Sequence, residues 1–116
     1  MPIYWVTDYY LAQGKTTEFQ DYMKSDRAKE LFAELERETG VRYIDTYMTV
    51  LGFGKYDCED WFVAPDWSAL DKMDTAQVNN KFAADTVDFI DMRRPWRSRA
   101  LRSIQDVQIH EPPKEK

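Results

Sequence analysis

Two carboxylates stand where a β-sheet favours apolar side chains: Asp8 between Val6 and Tyr10, and Asp45 between Tyr43 and Tyr47. A charge in the middle of an apolar strand must be paired, protonated or placed in a wet cleft. In a cleft among aromatic rings, a carboxylate can take a proton from a phenol or an activated carbon acid, and neighbouring hydroxyls can hold the resulting oxyanion. Asp8 and Asp45 are therefore the candidate catalytic groups, and Tyr10, Tyr43, Tyr47 and Trp61 the candidate ligand-binding side chains. Strict alternation sets Tyr10 on the strand face of Asp8, and Tyr43 and Tyr47 on the face of Asp45. The simpler reading pairs these acids with Arg42, Arg27 or the arginines of the last strand. Asp26 and Glu30 would join the same cleft if the first helix ran straight.

Other chemistries find less support. One cysteine, Cys58, and one histidine, His110, cannot build a Cys/His zinc site, and Asp57, Glu59 and Asp60 lack the spacing of a calcium loop, so no metal is expected. The acidic neighbours of Cys58 raise its pKa, and a thiol without a histidine partner reads as structural. Gly14-Lys15-Thr16-Thr17 imitates the end of a phosphate loop, but Tyr9 occupies the position where the earlier glycine is needed, and helix capping explains the string better. Met1-Pro2-Ile3 followed by a strand is similar to the start of tautomerases of the 4-oxalocrotonate type, whose freed proline nitrogen is a base. That chemistry requires removal of Met1, since with Met1 in place the Pro2 nitrogen is an amide and not an amine base. Arg93, Arg94, Arg97, Arg99 and Arg102 leave 11 basic against 21 acidic residues elsewhere, a polarised field. No stacking signature accompanies them, so pairing with acidic helices across a dimer is preferred to RNA or an anionic ligand.

These residues must be positioned by elements that the patterning predicts. Ile3 to Leu11 is a strand with mostly apolar residues on both faces. Thr16 or Thr17 caps a helix that runs to Thr39 and stops at Gly40. Within it, Phe19, Tyr22 and Met23 share one face, while Ala28, Leu31, Phe32 and Leu35 share another, which requires a break near Ser25-Asp26. Strands follow over 41–51 and 60–64, joined by a glycine-assisted hairpin loop at 52–57. Asp66 or Ser68 caps a short helix through Met73, and Asp74 or Thr75 caps a longer one reaching Met92. A last strand runs from about Arg97 to Ile109, and a tail over 111–116 with two prolines is expected to be disordered. The order β-α-β-β-α-β is the split βαβ of a ferredoxin-like α+β fold: one domain over 1–110, with a four-stranded antiparallel sheet and helices on one face. The helix-free face needs cover, and a second copy of the chain is the simplest cover.

The 116 residues, 43% of them apolar, suit one such domain. No apolar run approaches the roughly 20 residues that span a bilayer, and no leader is apparent. The formal charge of -5 argues against a general nucleic-acid surface, and the lone cysteine fits a reducing cytoplasm.

The run TYMTVLGFGKYD (46–57), the strand WFVA (61–64) and the segment PDWSALDKM (65–73) resemble, in order and texture, the dimeric α+β barrel superfamily. That group includes antibiotic-biosynthesis monooxygenase-like, EthD-like and stress-responsive barrel proteins. The resemblance, covering about residues 3 to 109, implies a homodimer with facing sheets and a cleft between sheet and helices for a small aromatic or hydrophobic ligand. Haem-using members rely on a histidine near the cleft. His110 is the only histidine here, so no cofactor is expected. The expected function is small-molecule binding, with cofactor-free monooxygenase or isomerase-like chemistry. A structural or interaction protein, or a tautomerase using Pro2, are the alternatives. A sheet-helix space filled by Phe19, Met23, Val78 and Phe82 would remove the ligand-based readings.

Overall fold

In the computed structural model, which describes residues 2–50 and 54–104, the aromatic N-terminal segment forms strand β1 (Ile3–Tyr9) at the centre of the sheet. It is followed by α1 (Thr16–Met23), α2 (Asp26–Thr39), β2 (Arg42–Met48), β3 (Cys58–Ala64), α3 (Trp67–Asp74), α4 (Val78–Thr86) and β4 (Arg97–Leu101). The strand order is β2-β3-β1-β4, and every neighbouring pair is antiparallel. β1 and β2 both run antiparallel to the strand between them, which makes them parallel to each other across β3, the arrangement of the split βαβ. No helix among the described residues is long and apolar enough to cross a membrane. Met1, residues 51–53 of the hairpin loop and everything from 105 onward lie outside the described residues; these include His110, the second half of the expected last strand and the 111–116 tail.

The break between α1 and α2 falls where the two apolar stripes require it. Ser25 is the N-cap of α2, its hydroxyl accepting from the Ala28 amide at 3.2 Å, and Gly40 closes the helix in the left-handed conformation at φ 84°. The start of α1 differs from expectation: Lys15 occupies its N-cap position without a side-chain cap, and Thr16 is already helical. The Asp66 side chain caps α3 through the Ala69 amide at 2.9 Å.

The expected long helix to Met92 is shorter, at Val78–Thr86. At its start the Gln77 amide bonds Glu38 Oε1 of α2, at 3.0 Å. At its end the backbone is claimed by the chain beyond β1: the Ala12 amide bonds the Phe89 carbonyl at 2.7 Å, and the Asp91 amide bonds the Tyr10 carbonyl at 2.9 Å. Those tertiary hydrogen bonds replace the next helical turn.

Alternation gives the sheet two distinct faces. Ile3, Trp5, Thr7 and Tyr9 of β1 share the helix-covered face with Cys58, Asp60, Phe62 and Ala64 of β3. Two buried clusters lie there. One joins Ile3, Leu31, Leu35, Val41, Leu70 and Val78; the other joins Tyr9, Leu11, Phe19 and Cys58. Tyr4, Val6 and Asp8 face the other way, with Trp61, Glu59, Arg97 and Arg99.

β2 departs from strict alternation. Tyr43 pairs with Phe62 and Asp45 with the adjacent Trp61, so Ile44 is an extra residue in a β-bulge. The bulge turns Tyr43 toward the helices, where it stacks on Phe32 at 3.7 Å between centroids. Asp45 and Tyr47 remain on the opposite face, which is helix-free among the described residues, paired with Trp61 and Glu59. The expectation that Tyr43, Asp45 and Tyr47 share one face is thereby corrected.

Candidate functional site

β3 reads Cys58, Asp60, Phe62 and Ala64 on its helix-covered side, so one carboxylate is carried into an otherwise apolar surface. Asp60 Oδ1 accepts hydrogen bonds from the Tyr9 hydroxyl at 2.7 Å and the Thr46 hydroxyl at 2.7 Å. Thr46 Oγ1 lies 2.6 Å from the Tyr43 hydroxyl. Because Thr46 spends its one proton on Asp60, Tyr43 must be the donor in that contact. The result is a chain from Tyr43 through Thr46 to Asp60, with Tyr9 arriving from β1. Asp60 Oδ2 accepts no hydrogen bond among the described residues.

Burial raises the Asp60 pKa to about 6 even though the two hydroxyls favour its charged form. The Tyr9 phenol is raised by burial and by the Asp60 carboxylate, and Tyr43 is raised chiefly by burial. Beside them the Cys58 thiol is pushed up to about 12, again by burial first and then by Asp60 and Asp57. It is an unreactive thiol. Asp60 is the group of this cluster poised to exchange a proton near neutral pH.

Asp60 lines a cavity of ≈ 640 Å³ between the sheet and the helices. Trp5, Thr7 and Tyr9 of β1, Phe62 of β3 and Ser98 of β4 form its floor. Phe19, Met23, Phe32 and Leu35 wall it from α1 and α2, and Leu70, Met73, Phe82 and Thr86 from α3 and α4. Trp67 and Trp96, 60% and 56% exposed, stand at its opening. The space therefore exists even though Phe19, Met23 and Phe82 border it; Val78 is buried in the core beside it.

The carboxylates singled out by sequence lie elsewhere. Asp8 is 1% exposed and held by Arg97, whose Nε and Nη2 donate to Oδ2 at 3.0 and 2.8 Å. Arg99 approaches the same oxygen at 3.8 Å and bonds Glu59 at 2.9 Å, while Glu59 also accepts from the Trp61 indole at 2.6 Å. Asp45 accepts from the Thr46 amide at 2.7 Å. Both acids are on the helix-free face, across the sheet from the cavity. Of the other expected residues, Trp61 and Tyr47 meet edge to face on that side, at 6.4 Å. Tyr10 lies beneath the Arg94 guanidinium, 3.5 Å from its ring centroid. Tyr43 alone among the expected residues reaches the Asp60 network. Pro2 is not among the residues that line the cavity.

Asp60, Tyr9 and Thr46 are not singled out by sequence because Asp60 belongs to the acidic run Asp57-Glu59-Asp60, which as a run lacks the spacing of a metal loop. The structure separates that run: Asp57 accepts from the Leu11 amide at 2.9 Å, Glu59 faces away and Asp60 faces the cavity. The usable signal was its alternation with Cys58, Phe62 and Ala64.

No protein-family model matches the chain, and no curated protein sequence matches it. Solved structures do. An uncharacterized NIPSNAP domain protein from Burkholderia xenovorans superposes with a TM-score of 0.63 at 14% identity, over 93% of this chain and 99% of its own. A NIPSNAP family protein from Agrobacterium tumefaciens gives a TM-score of 0.62 at 14% identity, over 90% and 95%. A dabb family protein with a ferredoxin-like fold from Mesorhizobium loti gives 0.54 at 11%, over 89% and 97%. The fold is ferredoxin-like. At these identities the likeness speaks for the α+β fold, and it does not single out the antibiotic-biosynthesis monooxygenase-like or EthD-like groups.

Proposed function

We propose that this chain binds a small aromatic or hydrophobic compound in the sheet-helix cavity, as a dimeric α+β barrel protein, with Asp60 as the acid-base group. The observation that carries the reading is the cavity itself: ≈ 640 Å³, walled mainly by aromatic and aliphatic side chains, with one half-buried carboxylate on its floor. That combination of an apolar container and few polar groups is what small-molecule sites require, and the volume falls in their usual range of about 300–1,000 Å³. Either an isomerase-like step or a cofactor-free oxygenation would begin with Asp60 Oδ2 taking a proton from the ligand. Tyr9 and Thr46 would hold the carboxylate in place meanwhile.

The test is calorimetric titration with 1-naphthylmethanol, a neutral aromatic probe. Binding is expected, and Thr86→Phe, which adds a ring to the cavity wall, should weaken it at least about tenfold. Binding of the alcohol that is indifferent to Thr86→Phe would remove the reading, as would failure of this probe and of its charged analogues to bind at all.

The helix-free face is proposed as the surface that meets a second copy. Tyr47, 39% exposed, and the half-buried Trp61 give it an aromatic patch beside the Asp8-Arg97 and Glu59-Arg99 pairs.

A further inference from the structure

The charges around the cavity are of one sign. Three carboxylates line it, Asp60 on the floor and the exposed Asp71 and Asp74 of α3 nearer the solvent, and no Lys, Arg or His is among the described residues that do so. The backbone explains this. In β4 the side chain of Ser98 faces the cavity, where its hydroxyl meets that of Thr7 at 3.1 Å. Alternation then sends Arg97 and Arg99 through to the opposite face, where they are engaged by Asp8 and Glu59. Arg97 and Arg99, the two arginines of β4, are thus spent on the other side of the sheet.

The walls favour the same ligand charge. Trp5, Trp67 and Trp96 line the cavity with Phe32, Phe62 and Phe82. Aromatic faces attract cations, most strongly where water is excluded, and indole does so best. On the floor, both hydroxyl donors converge on Asp60 Oδ1, leaving Oδ2 as an acceptor without a protein donor among the described residues. An anionic ligand would be repelled by Asp60 on the floor and by Asp71 and Asp74 of α3. A neutral one could offer Asp60 a hydrogen bond but no opposite charge.

Resting on the reading of the cavity as a ligand site, we infer that its ligand is a hydrophobic organic cation, an amine in its protonated form, whose ammonium pairs with Asp60 and whose apolar body lies among the tryptophans and phenylalanines. The pairing itself requires no covalent step. Asp60 acts as the charge anchor, Tyr9 and Thr46 fix its orientation, and Asp71 and Asp74 add a weaker, solvent-screened attraction at the opening.

Three probes of one shape test this at pH 7.5: 1-naphthylmethylammonium, 1-naphthylmethanol and 1-naphthoate. The cation should bind about tenfold or more tightly than the alcohol, and the carboxylate more weakly than either. In Asp60→Asn the ratio of cation to alcohol affinity should fall to near one. If the alcohol binds as well as the cation, the inference is overturned while the cavity reading stands. If none of the three binds, both fall. Should Asp60→Asn not fold, the ratio is measured in the intact protein at pH 7.5 and pH 5. Tyr9, Asp60, Asp71 and Asp74 are the titratable groups facing the cavity among the described residues, and the Asp60 pKa, raised to about 6 by burial, lies between those conditions. The ratio should drop at pH 5, and a ratio unchanged by pH overturns Asp60 as the anchor.

Discussion

The Tyr9 hydroxyl donates to Asp60 Oδ1 at 2.7 Å across the diagonal of neighbouring strands, since Tyr9 is paired with Cys58 and Asp60 with Thr7. The contact joins the centre of the sheet to the cavity's one half-buried carboxylate, and its removal has a measurable sign. In Tyr9→Phe a hydrogen bond that favours the charged carboxylate is lost, so the Asp60 pKa should rise above its value of about 6. Carboxyl chemical shifts followed by NMR through a pH titration would show it, and a pKa that stays or falls would refute the assignment.

Asp60 also makes stability depend on pH. Its folded pKa, about 6, is raised above the ordinary carboxylate value of 3.8, so the folded state holds this proton more tightly than the unfolded state does. Stability linked to Asp60 therefore decreases as pH rises through the window from about 4 to 6. Asp60→Asn, which keeps an acceptor for both hydroxyls, should be more stable than the parent at pH 7 by about 1–3 kcal/mol. The difference should vanish near pH 4. Urea denaturation at the two pH values checks this.

Asp8 should matter to stability and leave ligand binding untouched. Buried and engaged by two guanidinium groups on the helix-free face, it stabilises the fold without touching the cavity. Asp8→Ala should cost about 2 kcal/mol through the loss of a buried charged hydrogen-bond acceptor. Affinity for 1-naphthylmethanol should not change. A loss of binding with intact stability would return Asp8 to the site.

The bulge at Ile44 makes two tyrosines of one strand unequal. Tyr43 stacks on Phe32 within the helix-covered layer, whereas Tyr47 is 39% exposed on the other face. Tyr43→Ala should cost about 2–3 kcal/mol and Tyr47→Ala less than about 1 kcal/mol in the monomer. Equal losses in thermal denaturation would mean that the register is not the one described.

If a second copy covers the helix-free face, sedimentation at micromolar concentration should report a dimer, and Tyr47→Asp should shift it toward monomer by placing a charge in the contact. A parent chain that sediments as a monomer across that range would refute the proposed dimer.

The local code was legible wherever it acted through neighbours in sequence. The incompatible stripes of Phe19-Met23 and Leu31-Leu35 demanded a break, Ser25 supplied the cap and Gly40 the stop, and the order of strands and helices then implied the ferredoxin-like sheet. What the sequence alone determined about this protein is accordingly its elements and their order, because capping, periodicity and turn chemistry are short-range. Which face each side chain occupies was decided by tertiary structure. One extra residue, Ile44, reverses the alternation on which the grouping of Tyr43 with Asp45 depended, and a bulge is defined only against the partner strand. The role of Asp60 likewise needs β1 alongside β3 to bring Tyr9 to it, and the helices packed over the sheet to wall the cavity above it. A buried carboxylate takes its chemistry from the donors, charges and solvent around it, and those come from segments far apart in the chain.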